Sequence, residues 1–234
     1  MFYIKLFLIV LYTIIISFLA LLSGLIDKSY LTYKYITKLF SSGILFISGV
    51  KVKTTGLENL RGQGPFIFVS NHISQFDIIA LQYTIPLKSG FVFKKELASI
   101  PLFGWQLMTG PHIIIDRSNA ENALKSIHKA RHKMKTKSVS MILFPEGTRS
   151  KDGKLQPFKR GAFHLASQVS YPIIPVTILD SDKLLPKGSL KIIRGTINVQ
   201  FSPPVQTTKV ETRNDELELM GKVRDIISAN YNNK

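Results

Sequence analysis

The sequence predicts an α/β protein: a single-domain mixed sheet flanked by helices, preceded by an apolar, membrane-associated helical segment. Three observations carry this. Short β-favouring apolar runs at 66–70, 91–93, 112–115, 139–144 and 172–179 alternate with helical patterns, as in a sheet with helices on its faces. The stretch from Leu6 to Ile26 carries no charge. No long linker, low-complexity tract or internal repeat divides the remainder, so the expected organisation is an anchor with interfacial helices over 1–50 and one domain over 51–234.

In chain order, Lys5 and Asp27 bracket the uncharged stretch, which at ~1.5 Å per residue is about long enough to cross a bilayer core. A signal peptide fits less well, since its basic region would be Lys5 alone and no A-x-A cleavage pattern follows. Lys28, Lys34, Lys38, Lys51 and Lys53 come next and, by the positive-inside tendency, place the following chain in the cytoplasm. Tyr35 to Ile47 has the pattern of an amphipathic helix that either lies at the membrane interface or packs on the core. Gly49 and the β-like Lys51-Val52-Lys53-Thr54 mark a change of structure.

Asn119 to Lys137 reads as a helix on the spacing of Ala123, Ile127, Ala130 and Met134. His128 and His132 stand one turn apart in it, a metal-binding spacing, but Lys129, Ala130 and Arg131 lie between them and oppose a dication, so they read as solvated face residues and no metal site is expected. Leu190 to Arg194 and Thr196 to Phe201 flank Gly195 as a tight strand pair. Pro203-Pro204 ends the sheet, and Asp215 to Tyr231 forms a closing amphipathic helix.

Lys and Arg number 31 against 15 Asp and Glu, and the formal charge of +16 suits nucleic acid, anionic lipid or phosphorylated small molecules. The absence of cysteine excludes a disulfide framework, a thiolate zinc site and an acyl-cysteine intermediate, so any thioester chemistry uses a thiol brought by the substrate.

Two polar segments follow apolar runs. In Asn71-His72-Ile73-Ser74-Gln75-Phe76-Asp77, His72 is a candidate base and Asp77 a candidate orienter of its ring. Positions five apart lie roughly 140° apart on a continuous helix, so their contact needs the irregular start of one. Read alone, the pair is more simply a capping Asp and a satisfied loop His. In Phe144-Pro145-Glu146-Gly147-Thr148-Arg149-Ser150, Gly147 frees the backbone and Thr148, Arg149 and Ser150 offer donors suited to an anion. Asp116-Arg117 ends a third apolar run. Loops at the carboxyl ends of strands share one sheet edge, so all three can converge on a crevice. No G-x-S-x-G nucleophile elbow is present.

On four blocks in order, the chain resembles the lysophosphatidic acid acyltransferase family of the glycerolipid acyltransferases. They are the His-x4-Asp block Asn71 to Asp77; Lys95-Glu96-Leu97 through Pro101, Gly104 and Asp116-Arg117; Phe144 to Ser150; and Tyr171 to Val176. The resemblance implies a glycerol-3-phosphate acyltransferase-like fold and transfer of a fatty acyl group from acyl-CoA or acyl carrier protein, as co-substrate and with no cofactor. The acceptor would be the sn-2 hydroxyl of 1-acyl-sn-glycerol 3-phosphate and the product phosphatidic acid. It implies His72 as general base oriented by Asp77, no acyl-enzyme, and a substrate-binding set of Asn71, Lys95, Arg117, Glu146, Gly147, Thr148 and Arg149, with Glu146 holding the loop or a glycerol hydroxyl. Lys159, Arg160 and Gly161 either extend the positive rim or simply begin the helix Ala162 to Ser170, in which His164 is a packed or partly exposed residue. The implied partners are membrane lipids and the two substrates, at the cytoplasmic face of a membrane, the plasma or inner membrane if bacterial. Alternatives are another acceptor, such as glycerol 3-phosphate or a different lysophospholipid, and a membrane-tethered nucleic-acid-binding protein. The latter lacks the aromatics interleaved with Arg that stacking requires.

Overall fold

The computed structural model describes residues 2–61, 64–115, 120–150, 152–207 and 210–232. The first two helices, α1 (Phe2–Ile26) and α2 (Leu31–Ser48), pack on each other. Gly49 ends α2 in the left-handed region (φ 71°), a conformation that costs glycine least. The chain then enters β1 (Val50–Thr55), and after a 3-10 turn β2 (Ile67–Ser70) leads into α3 (Phe76–Thr84). Next come β3 (Ser89–Lys94), a second 3-10 turn, α4 (Phe103–Thr109), β4 (Ile113–Ile115) and α5 (Ala120–Lys137). The remainder is β5 (Ser140–Leu143), α6 (Gly161–Val169), β6 (Ile173–Leu179), the short α7 (Ser181–Leu184), β7 (Gly195–Phe201) and α8 (Arg213–Asn232).

The seven strands form one sheet in the order β1-β7-β6-β2-β5-β3-β4. All neighbours are parallel except β6 and β7, which makes the sheet mixed, as expected. Central strands are apolar throughout because both faces are covered. In β2, Ile67 and Val69 point into a core with α5, α6 and α8, while Phe68 points the opposite way, among residues of α2, α3 and β7. The edge strand β1 instead alternates, and Lys51 and Lys53 face solvent, which discourages pairing with another chain.

α1 is, among the described residues, the one helix long and apolar enough to cross a membrane. Its outer side exposes Tyr3, Phe7, Ile14, Phe18 and Ile26, while Ile16, Ser17 and Ala20 are buried against the rest of the protein. α2 is buried at Tyr33, Ile44 and Leu45, and the latter two join the core on the α3 side of the sheet. One side of α2 therefore packs on the core, while Tyr35, Leu39 and Phe46 are exposed.

One expectation fails. Residues 190–194 are not a strand and no hairpin turns at Gly195. The segment 195–201 pairs instead with β1 in parallel (Val50 with Gly195) and with β6 antiparallel (Val176 with Phe201). The reason is long-range: β7 alternates in burial and fits between two strands already in place, whereas Leu190 and Ile193 stay exposed. His128 and His132 are exposed on α5, as expected, and no metal-holding group of His, Cys, Asp or Glu occurs among the described residues.

Candidate active site

The site begins where β2 and β5 end side by side. From β2 the chain crosses to β3, with α3 on one face of the sheet; from β5 it crosses the other way to β6, with α6 on the opposite face. The two loops diverge and leave a crevice at the carboxyl edge, the usual consequence of a reversal in strand order.

His72 sits in the β2 loop, just before α3. Its Nδ1 is 2.8 Å from Asp77 Oδ2. The contact is made because His72 lies in the loop while Asp77 occupies the first turn of α3, and the N–H groups of Ile73 and Ser74, in the same loop before the helix, also donate to Oδ2 at 2.7 and 2.8 Å. The other oxygen, Oδ1, accepts from the Ser181 hydroxyl at the start of α7. Asp77 is fully buried and the His72 side chain is 14% exposed. With Nδ1–H directed at a carboxylate, Nε2 carries the lone pair. That nitrogen has no hydrogen-bond partner among the described residues, and His72 lines a cavity of about 810 Å³. The imidazole lies flat on Phe144, ring centroids 4.0 Å apart and planes 17° apart.

The β5 loop is tied to the β2 loop through its backbone. The buried Glu146 accepts the His72 N–H at 2.7 Å through Oε1 and the Gln156 N–H at 2.9 Å through Oε2. Ser150 N–H donates to the His72 carbonyl at 2.9 Å. Burial raises the Glu146 carboxyl to about 7, against the pull of those two donors. Glu146 is thus a brace between loops, off the cavity wall. Gly147 turns through the left-handed region (φ 74°), where a Cβ would lie 3.1 Å from Lys159 Nζ.

Four cations line the cavity near these loops: Lys94 at the end of β3, Arg149, Lys159 before α6 and Lys187. Lys187 Nζ donates to the Arg149 carbonyl at 2.5 Å. No carboxylate among the described residues lines the same cavity. Beyond the cations the wall is apolar, made by Phe91, Phe144 and residues of α1, α2 and α4 such as Ile9, Ile16, Phe40 and Phe103. One cavity therefore joins a proton acceptor, a cluster of positive charge and an apolar channel.

Thr148, Gly147 and Arg149 are on the cavity wall. Asn71 is not: it is 1% exposed, and its carboxamide both donates to the Ile178 carbonyl and accepts the Ile178 N–H, each at 2.8 Å, joining β2 to the end of β6. Its expected substrate contact is replaced by a structural one. Lys95 is exposed in the 3-10 turn and its neighbour Lys94 lines the cavity instead. Arg117 lies outside the described residues. At the α6 start the two basic residues divide: Lys159 faces the cavity, whereas Arg160 Nε is 3.4 Å from Glu216 on α8, which also receives His164 at 2.7 Å. Lys187 and Ser181 were not singled out from sequence; both come from the segment after β6 and carry no local pattern.

A sequence model of the family described as Acyltransferase matches residues 51–179. The 1-acyl-sn-glycerol-3-phosphate acyltransferase of Limnanthes douglasii is 37% identical over 164 residues, 70% of this chain and 58% of that one. The protein of the same name in Saccharomyces cerevisiae is 33% identical over 208 residues, 88% of this chain and 68% of that one. The chain thus spans little more than half the length of some curated relatives it matches. The crystal structure of the 1-acyl-sn-glycerophosphate (LPA) acyltransferase of Thermotoga maritima shares the fold, with a TM-score of 0.82, 22% identity, and coverage of 99% of this chain and 94% of that one. With the family model covering more than half of it, the chain belongs to the acyltransferase family.

Proposed function

We propose that this protein transfers a fatty acyl group from an acyl thioester to the free sn-2 hydroxyl of 1-acyl-sn-glycerol 3-phosphate, giving phosphatidic acid, with acyl-CoA or acyl carrier protein as donor. The observation that carries the reading is His72: Nδ1 held by Asp77 at 2.8 Å, Nε2 open to a cavity that is cationic at one part and apolar beyond. The names of the relatives support the acceptor.

The acceptor hydroxyl gives its proton to His72 Nε2 as its oxygen attacks the thioester carbonyl. Asp77 stabilises the imidazolium and keeps the ring in register. The tetrahedral oxyanion collapses, the C–S bond breaks, and the departing thiolate takes the proton back from Nε2. No side chain of the protein is acylated, in keeping with a chain that has no cysteine. Arg149, Lys187, Lys159 and Lys94 take the acceptor phosphate, and Arg149 is placed to use its planar fork. α1 holds the protein at a membrane, with the catalytic residues on the cytoplasmic face, so that amphiphilic substrate and product exchange with the leaflet.

The test is acyl transfer by the purified protein, with acyl-CoA and acyl carrier protein donors offered against lysophosphatidate and glycerol 3-phosphate. Lysophosphatidate-dependent release of the donor thiol is expected. Transfer confined to glycerol 3-phosphate, or to acceptors without phosphate, overturns the assignment.

A further inference from the structure

Deep in the apolar channel stands a polar group that the reaction does not use. Gln106, on α4, lines the cavity and is 7% exposed. A relay fixes its orientation. The Phe91 N–H donates to His112 Nδ1 at 3.0 Å, so the ring proton lies on Nε2 and faces the Tyr33 oxygen at 3.0 Å. The Tyr33 hydroxyl proton then goes to Gln106 Oε1. His112 is able to hold this one tautomer because burial, helped by nearby Lys133, lowers its pKa to about 3 and keeps the ring neutral.

The Gln106 NH2 is left over. It makes no hydrogen bond to a described residue, it belongs to a side chain on the cavity wall, and the hydrocarbon tail of a saturated chain offers it no acceptor. Ser17, on the inner side of α1 and 4% exposed, is a second cavity-lining group whose hydroxyl has no partner there. Both groups open on the cavity, so a hydrocarbon chain that fills it strips them of water and returns no hydrogen bond, whereas a chain that carries an oxygen there restores one.

We propose that Gln106 is a chain-recognition residue: its NH2 donates to an oxygen carried along a fatty chain, so the cavity favours a hydroxylated acyl chain over the plain hydrocarbon of equal length. An aromatic wall leads there from the reacting end, with centroid spacings of 4.0 Å from His72 to Phe144, 6.1 Å from Phe144 to Phe91 and 6.2 Å from Phe91 to His112. The preference therefore depends on where the hydroxyl sits in the chain. The inference rests on the acyltransferase reading, and the chain in question belongs to either the donor or the lysolipid.

The experiment measures kcat/KM for stearoyl-CoA and for isomers whose single hydroxyl is moved along the chain, and repeats it with the same chains on lysophosphatidate. Retention of the free fatty acids by the protein is measured alongside. One mid-chain isomer is expected to be preferred by roughly tenfold in the arm whose chain occupies the channel. Gln106→Leu should abolish that ratio and Tyr33→Phe, which frees the amide, should reduce it. A wild-type protein with no positional preference in either arm, or a preference that Gln106→Leu leaves intact, overturns the proposal. A protein that transfers no chain but retains the hydroxy acid more tightly overturns the acyltransferase reading and upholds the role of Gln106.

Discussion

His72 and Phe144 are stacked face to face at 4.0 Å, which holds the plane of the imidazole while Asp77 holds its edge. A ring held at one edge alone swings about that hydrogen bond; held on its face as well, it keeps Nε2 aimed into the cavity. Phe144→Ala should lower kcat by about tenfold, because the stacked contact that positions the base is lost. His72→Ala should lower kcat by about 10²–10⁴-fold. Steady-state kinetics with lysophosphatidate checks both, and equal turnover of His72→Ala and wild type would remove His72 from the mechanism.

The cations are expected to act on the acceptor. Arg149→Ala should weaken lysophosphatidate binding by about 1.5 to 3 kcal/mol, read as a raised acceptor KM with the donor KM unchanged. Lys187→Ala should raise the acceptor KM less, since its ammonium is already engaged by the Arg149 carbonyl and acts partly by placing that loop. An acceptor KM unmoved by either change would place the phosphate elsewhere.

Glu146 gives a pH signature in stability. Its carboxyl sits at about 7 in the folded protein against an ordinary value of 4.5. Between those values the unfolded chain releases the proton and the folded one retains it, so the stabilisation is complete below 4.5 and is lost as pH rises to about 7. Thermal unfolding across that window should show a decline in wild type that Glu146→Gln lacks. The change is expected to be about 1 to 3 kcal/mol. His112 acts in the opposite sense, being held neutral down to about 3, so its contribution is present above 6.5 and falls away as pH drops. Parallel curves for wild type and Glu146→Gln would dismiss the buried proton.

Asn71→Ala should cost about 2 to 4 kcal/mol in denaturant unfolding, since it leaves both the N–H and the carbonyl of Ile178 buried without partners. Once folded, the variant should bind lysophosphatidate normally. A selective rise in acceptor KM with stability unchanged would restore Asn71 to the binding surface.

These residues also show what a sequence discloses. The strands around Phe68, Ile142 and Ile174 were legible because burial on both faces leaves an uninterrupted apolar run. The His72 and Arg149 loops were legible because each is a short polar segment after such a run, and parallel strands bring their ends together. What was hidden is long-range. The partners of Asn71 and Asp77 lie at Ile178 and Ser181, more than a hundred positions away, and no local pattern announces them. The 190–201 segment misled because its alternation suits a hairpin as well as a strand slotted between β1 and β6. Lys187, in an ordinary-looking loop, becomes significant only by its approach to Arg149.

α1 has one side turned outward and apolar and the other forming part of the channel wall at Ile9, Ile16 and Ala20. A partition is therefore shared between the surroundings of the protein and its interior, one helix thick. Changes that improve its hold on lipid and changes that reshape the channel fall on residues one or two positions apart, so the two properties cannot drift independently. A catalytic fragment begun after residue 50 would keep His72, Asp77 and the cations but would have a missing wall, and should fail on long chains sooner than on short ones.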